Sequence, residues 1–408
     1  MSGARWQRTL WIMFAAQLIS AVGFAVIFPF LPLYVAELGT NTGLGIEFWV
    51  GMVFSSQAIT MAIASPLWGS LSDRLGHKLM VQRAMFGGAV VLLLMGFARS
   101  AEELALLRAV QGALTGTISA ANALLAAEAP KERLGYAMGI LQMGLWGGLS
   151  AGPMLGGVLA DAYGYRMPFF LTAALLALAG LLVAFGVRGG GRPAPGARPK
   201  GQGLVAGWRA ILTARGMLPT YGLRFLSSLA HTMLLPFTPL FIQTLMLGEA
   251  ALGTFTGLVV GLASAAGTAT AIYFGRLGDR VGHKQVLIAC AAAAALLYLP
   301  QALVVAPWQL LALQVLSGAA WGGVTPALGA LLARYGGGGR EGAIYGLDNS
   351  LVAGARALAP VVGALVVTAF GLRGLFVATA VIYAVVAAGA AARLPGSGHA
   401  PAAAPRRT

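Results

Sequence analysis

Twelve long apolar runs divide the chain, and its polar residues gather in the short turns between them. The approximate bounds are 10–34, 48–68, 80–98, 103–126, 135–159, 166–187, 219–246, 251–274, 286–304, 308–333, 342–369 and 373–394. A helix needs about 20 apolar residues to cross the hydrocarbon core of a bilayer, and each run is close to or beyond that length. The pattern predicts twelve transmembrane helices. The first run follows Arg5 and Arg8, as the apolar segment of a signal peptide would. It is too long for such a segment and has no clear cleavage site, so it reads as a retained span.

The polar turns reveal a duplication. Gly69-Ser70-Leu71-Ser72-Asp73-Arg74-Leu75-Gly76-His77-Lys78 returns 206 residues later as Gly275-Arg276-Leu277-Gly278-Asp279-Arg280-Val281-Gly282-His283-Lys284. Pro29 and Pro32 match Pro236 and Pro239 at an offset of 207, and Gly139, Pro153, Gly156, Gly164, Arg166 and Phe169 match Gly346, Pro360, Gly363, Gly371, Arg373 and Phe376. Both halves therefore place their helix breaks at the same depth. With six spans each, the copies start and end on one side and are parallel repeats about an axis along the membrane normal. Residues 188–218 hold six basic residues, no acid, a Gly189-Gly190-Gly191 run and three prolines, and read as a linker. The expected organisation is a bundle over 1–187, a cytoplasmic linker over 188–218, a second bundle over 219–394 and a cytoplasmic tail over 395–408.

Composition agrees with immersion in lipid. The chain is 58% hydrophobic and 10% charged, against about 25% charged for a soluble domain. Its net charge of +15 raises nucleic-acid binding, which the distribution of the charge argues against. If the N-terminus is cytoplasmic, the loops, the tail and the span ends next to them on that side hold 21 of the 27 Lys and Arg residues, Arg83 and Arg393 included. This is the positive-inside asymmetry, and it places both termini in the cytoplasm. Cys290 is the single cysteine, so no internal disulfide and no thiolate metal site is expected.

Three constellations carry candidate chemistry. In the repeated turn, an aspartate at the end of a span can accept hydrogen bonds from a neighbouring helix N-terminus, and the glycines allow close approach. A latch between halves is the reading favoured over a plain topology signal, with Asp73 near Gly342 to Tyr345, Asp279 near Gly135 to Met138, and Glu128 near His77 or Arg74. In the fifth span, Gly148, Gly152 and Gly156 recur every four residues beside Pro153 and Gly157, a stripe that admits a second helix and bends the segment. Ordinary helix packing and a pivot sealing the outer side both fit. The third constellation is charge inside the membrane, which is costly and by default functional. Arg108 heads a polar stripe with Gln111, Thr115, Ser119 and Asn122, expected to face water or substrate. Arg224, Ser228 and His231 share a face of the seventh span. Asp348 sits about 9 Å inside the eleventh at 1.5 Å per residue, beside Asn349 and near Arg356.

These residues give the chain a family likeness. It resembles the major facilitator superfamily, and within it the twelve-span proton-linked drug antiporters, over about residues 8–394. Gly69, Asp73, Arg74, Gly76, His77 and Lys78 are similar to the signature loop after the second helix, with His77 where Arg or Lys is usual, and Asp279 and Arg280 belong to its second copy. Leu104, Arg108, Gln111 and Gly112 resemble the fourth-helix motif, whose arginine is associated with proton coupling. Gly148, Gly152, Pro153, Gly156 and Gly157 resemble the fifth-helix antiporter motif, and Gly23, Pro29 and Pro32 a first-helix pattern of drug exporters. The resemblance implies an all-α integral membrane protein of twelve helices in two pseudo-symmetric six-helix bundles, with alternating access, no cofactor and no metal. The chain departs from the pattern in having no acid inside its first or fourth span. Glu37, Glu47, Glu102, Glu103, Asp161 and Glu249 all fall near the outer surface, so a proton site must use Asp348, His231 or one of these peripheral acids.

The functional expectation is a monomeric exporter of lipophilic small molecules in the bacterial inner membrane, driven by proton antiport. Its cavity is expected to draw on Gln17, Phe24, Phe28, Asn122, Gln142, Trp146, Phe237, Trp321 and Asn349, an apolar and aromatic set suited to bulky lipophilic cargo. The alternative is an importer or facilitator of a small metabolite such as a sugar or organic acid, which would call for more convergent polar groups. A receptor or structural membrane protein is a third class. An enzyme is not expected, because the spans hold no nucleophile and base pair, metal cluster or phosphate loop.

Overall fold

The computed structural model describes residues 3–115, 121, 124–125, 130, 133–187, 216–246, 251–336 and 341–395. Within the helices it leaves out the side chains at 3–5, 65–66, 69–70, 72–74, 134–135, 336, 341–343 and 345–346. The first half gives α1 (Gly3–Ile27), α2 (Leu31–Leu38), α3 (Ile46–Leu75), α4 (His77–Met95), α5 (Ala101–Leu114), α6 (Leu134–Tyr163) and α7 (Met167–Gly186). The second gives α8 (Met217–Leu234), α9 (Thr238–Leu245), α10 (Leu252–Val281), α11 (His283–Gln301), α12 (Pro307–Gly336) and α13 (Glu341–Arg393).

The prolines explain why the first and seventh spans are each two helices. Pro32 and Pro239 sit in the first turns of α2 and α9, where a missing N–H costs nothing, and the chain bends just before them. The second bend, between α8 and α9, is 41°. The eleventh and twelfth spans form α13, whose continuity is broken at Gly371, with φ 70° and ψ 175°. Gly164 makes the matching break between α6 and α7 at φ 79°, and Gly76 and Gly282 turn the repeated loops at φ 97° and 100°. Positive φ is open to glycine without steric cost, so these pairs are where the duplicated chain reverses.

Packing repeats across the halves. α1 lies on α6 and α7, α3 on α5 and α4 on α7, while α8 lies on α13, α10 on α12 and α11 on α12 and α13. Because lipid supplies no hydrophobic drive between helices, close backbone approach and interhelical hydrogen bonds take over. Thr60 donates to the Ala109 carbonyl at 2.7 Å and Thr270 to that of Ala319 at 2.8 Å. A Cβ on Gly112 would collide with the Gln57 carbonyl, and one on Gly318 or Gly322 with the carbonyls of Ala263 or Gly267.

The halves meet along two seams, α6 on α10 and α3 on α13. Gly157 faces the Gly253 carbonyl, Gly257 faces that of Pro153, and Gly51 faces Pro360 and Ala364. All of these contacts lie toward the end that carries the 39–45 loop. At the other end, where the repeated turns sit, the Asp279 side chain is 74% exposed and Arg280 is exposed. Among the described residues the close backbone contacts between the halves named here lie at the loop end, while the turn end presents exposed charge.

Candidate functional site

The fifth-span motif separates into two faces. Gly148, Gly152 and Gly156 lie against Ala21, Ala25 and the Val26 carbonyl of α1, inside one half. Pro153 and Gly157 point the other way, onto Gly257 and Gly253 of α10. The stripe binds α6 to its own bundle, and its neighbouring face forms the seam between bundles.

The repeated turn is anchored within each half. Lys78 Nζ donates to the carbonyls of Ala184 and Val187 at 2.8 and 2.7 Å, and Lys284 Nζ to those of Ala391 and Leu394 at 3.0 and 2.7 Å. Each ammonium closes the C-terminal end of a half's last helix, where free carbonyls and the dipole favour a cation. His77 is buried. Asp279 pairs at 3.3 Å with His283 of its own turn and its side chain is exposed; the latch reading expects its contact with the start of α6 only when the turn end is closed. Glu128 lies outside the described residues, and so do the side chains of Gly69, Asp73 and Arg74.

The fourth-span stripe is buried rather than facing water. Arg108, Gln111 and Thr115 are each below 7% exposed. Arg108 Nε donates to the Val53 carbonyl at 3.2 Å and Nη1 to Gln111 Oε1 at 2.8 Å, with Phe54 lying 5.8 Å from the guanidinium. A buried guanidinium needs acceptors; α3 supplies the Val53 carbonyl and α5 itself the Gln111 amide oxygen, which turns the stripe inward. Ser119 and Asn122 are outside the described residues.

Charge in the second half is concentrated on α8 and α13. Arg224 forms a forked pair with Asp348, Nε to Oδ1 at 3.1 Å and Nη2 to Oδ2 at 3.4 Å. Arg356, further along α13, is exposed. The His231 ring stacks on Trp321 at 4.0 Å and 9°.

The cavity set divides. Phe28, Gln142, Trp146 and Asn349 are accessible, Phe24 and Trp321 partly so. Trp146 is one turn before Ser150, on the α6 face that meets α10. Gln17 and Phe237 are buried at 3% and 1%. Phe237 packs against Gly363 within the second half, so its bulk fills the joint of α8 and α13 and lines no cavity. Sequence reading also passed over Gly253, Gly257 and Gly261, which carry α10's side of the seam. Their spacing of four, the same as in the fifth span, was the available signal.

Two six-span halves joined at one end, with aromatic and charged faces between them, are the architecture of an alternating-access membrane transporter and not of an enzyme. Residues 13–252 and 220–407 match the Major Facilitator Superfamily. The chain is 34% identical over 378 residues to the Multidrug resistance protein MdtG of Enterobacter lignolyticus (strain SCF1), covering 92% of this chain and 90% of that one. The protein of the same description from Dickeya zeae (strain Ech586) is also 34% identical over 378 residues, with 92% and 91% covered. Among solved structures, a bacterial homologue of the human lysosomal transporter Spinster, inward-facing and occupied, aligns with TM-score 0.79 at 14% identity, covering 96% of this chain and 97% of that one. The nucleoside transporter NupG aligns with TM-score 0.77 at 15% identity, covering 94% and 98%. The chain belongs to the Major Facilitator Superfamily.

Proposed function

We propose that this transporter exports lipophilic small molecules from the cytoplasm across the bacterial inner membrane, as a monomer, by proton antiport. The observation that carries the reading is that both seams are joined at the loop end while Asp279 and Arg280 stand exposed at the turn end, which we read as the halves parting there. With the basic turns in the cytoplasm, this is an inward-facing state, open to cytoplasmic cargo. The accessible Phe28 and Trp146 and the His231 and Trp321 stack give such cargo an aromatic surface. The relatives described as multidrug resistance proteins support the same direction of transport.

For coupling, we infer that a proton and Arg224 compete for Asp348. Protonation of the carboxylate would release the guanidinium on α8 and loosen its tie to α13, two helices that line the space between the halves. Arg108, held by carbonyl oxygens, fixes α3 to α5 and sets the field on the first-half side. The bundle bounds 1–187 and 219–394, with the linker and tail cytoplasmic, belong to the same proposal.

Inverted membrane vesicles test it. An imposed gradient, acid inside, should drive accumulation of a fluorescent lipophilic cation in vesicles holding the protein, and collapse of the gradient should release it. Accumulation that ignores the gradient would remove the antiport reading, and movement only in the opposite direction would favour the metabolite importer.

A further inference from the structure

We propose that Asp161 is a gating residue for transport: from the last turn of α6 it caps the N-terminus of α10 in the other half and so latches the loop end shut in the inward-facing state. Its Oδ1 accepts from Gly253 N at 2.8 Å and its Oδ2 from Thr254 N at 2.6 Å. Those two amides belong to the first turn of α10, where N–H groups have no partner within the helix and the dipole favours an anion. Among the described residues the helix has no cap from its own leading segment. The residue before it is Ala251, which has no side-chain acceptor, so the acceptor comes from across the seam.

Two further features mark this contact as built for it. Ala251 is held at φ 66° and ψ 22°, and among the described residues it alone has positive φ without being glycine. Such a conformation persists where surrounding contacts hold it and is found at switch regions. Gly253, for its part, is what lets the carboxylate approach, since a Cβ there would lie 2.8 Å from Asp161 Oδ1 and from the Gly157 carbonyl. The latch is also one-sided. The position matching Asp161 in the second half is Thr368, whose hydroxyl donates back to the Ala364 carbonyl, and α3 carries an acid of its own, Glu47, in its first turn. Among the described residues the α6 and α10 seam alone shows a charged tie, and breaking it should favour opening at that end.

The proposal rests on the alternating-access reading but not on the identity or direction of the cargo, so its test needs no substrate. Spin labels at Leu75→Cys and Val281→Cys, both exposed ends of the repeated turns, in a Cys290→Ala background, report by pulsed electron resonance how far the halves part at the turn end. In lipid nanodiscs the parent should populate mainly the long distance. Asp161→Asn and Asp161→Ala should move the population toward the short, turn-closed distance by about fivefold or more, the scale of losing a helix cap. Thr254→Pro removes one of the same amide donors from a first-turn position that tolerates proline and should shift it in the same direction. Combined with Asp161→Ala it should add little, because both changes break one contact. Glu102→Gln is the control: that carboxylate binds Thr40 Oγ1 and Asn41 N at the same end but within one half. Unchanged distances in the Asp161 variants, or an equal shift in Glu102→Gln, would overturn the latch. Distances that respond as expected in a protein that moves no dye would leave the latch standing and remove the export reading instead.

Discussion

Gly156 and Gly157 are neighbours that meet the same obstacle on different sides of the bundle boundary. A Cβ at 157 would overlap the Gly253 carbonyl, lying 2.5 Å from its carbon and 2.9 Å from Thr254 Cα. At 156 it would overlap the Val26 carbonyl, 2.7 Å from its carbon and 2.9 Å from Val26 Cα. Both obstacles are helix backbone, so neither can yield without moving a helix, and overpacking of that kind costs roughly 1–3 kcal/mol. Any gain from replacing glycine in a helix is common to both and cancels in the comparison. In Gly157→Ala the cost falls only on the state with the loop end closed, which shifts the equilibrium toward the outward-facing state by about 5–150-fold. In Gly156→Ala it falls on both states alike, lowering thermal stability without a shift. A cysteine at Gln142, labelled by an impermeant maleimide from the loop side, reads the difference: labelling should rise by that factor in Gly157→Ala and stay at the parent rate in Gly156→Ala. Equal rates in the two variants would refute the assignment of Gly157 to the seam.

Three other consequences follow from particular contacts. Asp348→Asn leaves the partly buried Arg224 without its charged partner and should cost about 1–3 kcal/mol of stability, seen as a lower melting temperature, while Arg224→Met with Asp348→Leu should recover most of it; a melting point unchanged in Asp348→Asn would show the pair to be dispensable. Arg108→Ala should abolish gradient-driven dye transport in a protein that still purifies folded, and normal uphill transport would exclude the arginine from coupling. The bonds from Thr40 and Asn41 hold the Glu102 carboxyl down to about 2 from its ordinary 4.5. A depressed carboxylate stabilises the fold above its ordinary value and loses that contribution as pH falls toward about 2. Acid melting of the parent should therefore be steeper over that window than that of Glu102→Gln, and identical acid profiles would show the contact to be without effect.

The bundle was legible in the sequence because lipid leaves few choices. Twenty-residue apolar runs must be helices, and a duplicated turn must mark duplicated halves, so span number, breaks at Pro32 and Pro239 and reversals at Gly164 and Gly371 could all be read in advance. What could not be read was direction around each helix. Arg108, Gln111 and Thr115 form a stripe on paper, and only the Val53 carbonyl on α3 decides that the stripe turns inward. Phe237 is as aromatic as Trp146, yet Gly363 opens a space that the phenylalanine fills. Asp161 was visible only as a peripheral acid, because its partner is a pair of backbone amides that leave no trace in residue identity. The state of the two halves was equally hidden, since the same sequence must serve both.

Alternating access requires the two ends of the molecule to move in opposition. Double electron resonance on two labelled pairs, Leu75→Cys with Val281→Cys at the turn end and Leu44→Cys with Phe370→Cys at the loop end, measures both ends in one preparation; all four positions are exposed. Without cargo the turn-end pair should be long and the loop-end pair short, as the parted and closed seams require. On adding lipophilic cation under varied pH, one distance should shorten as the other lengthens, in matched proportions. Distances that change together, or a loop end already open without cargo, would contradict a transporter that rocks its two halves about a central site.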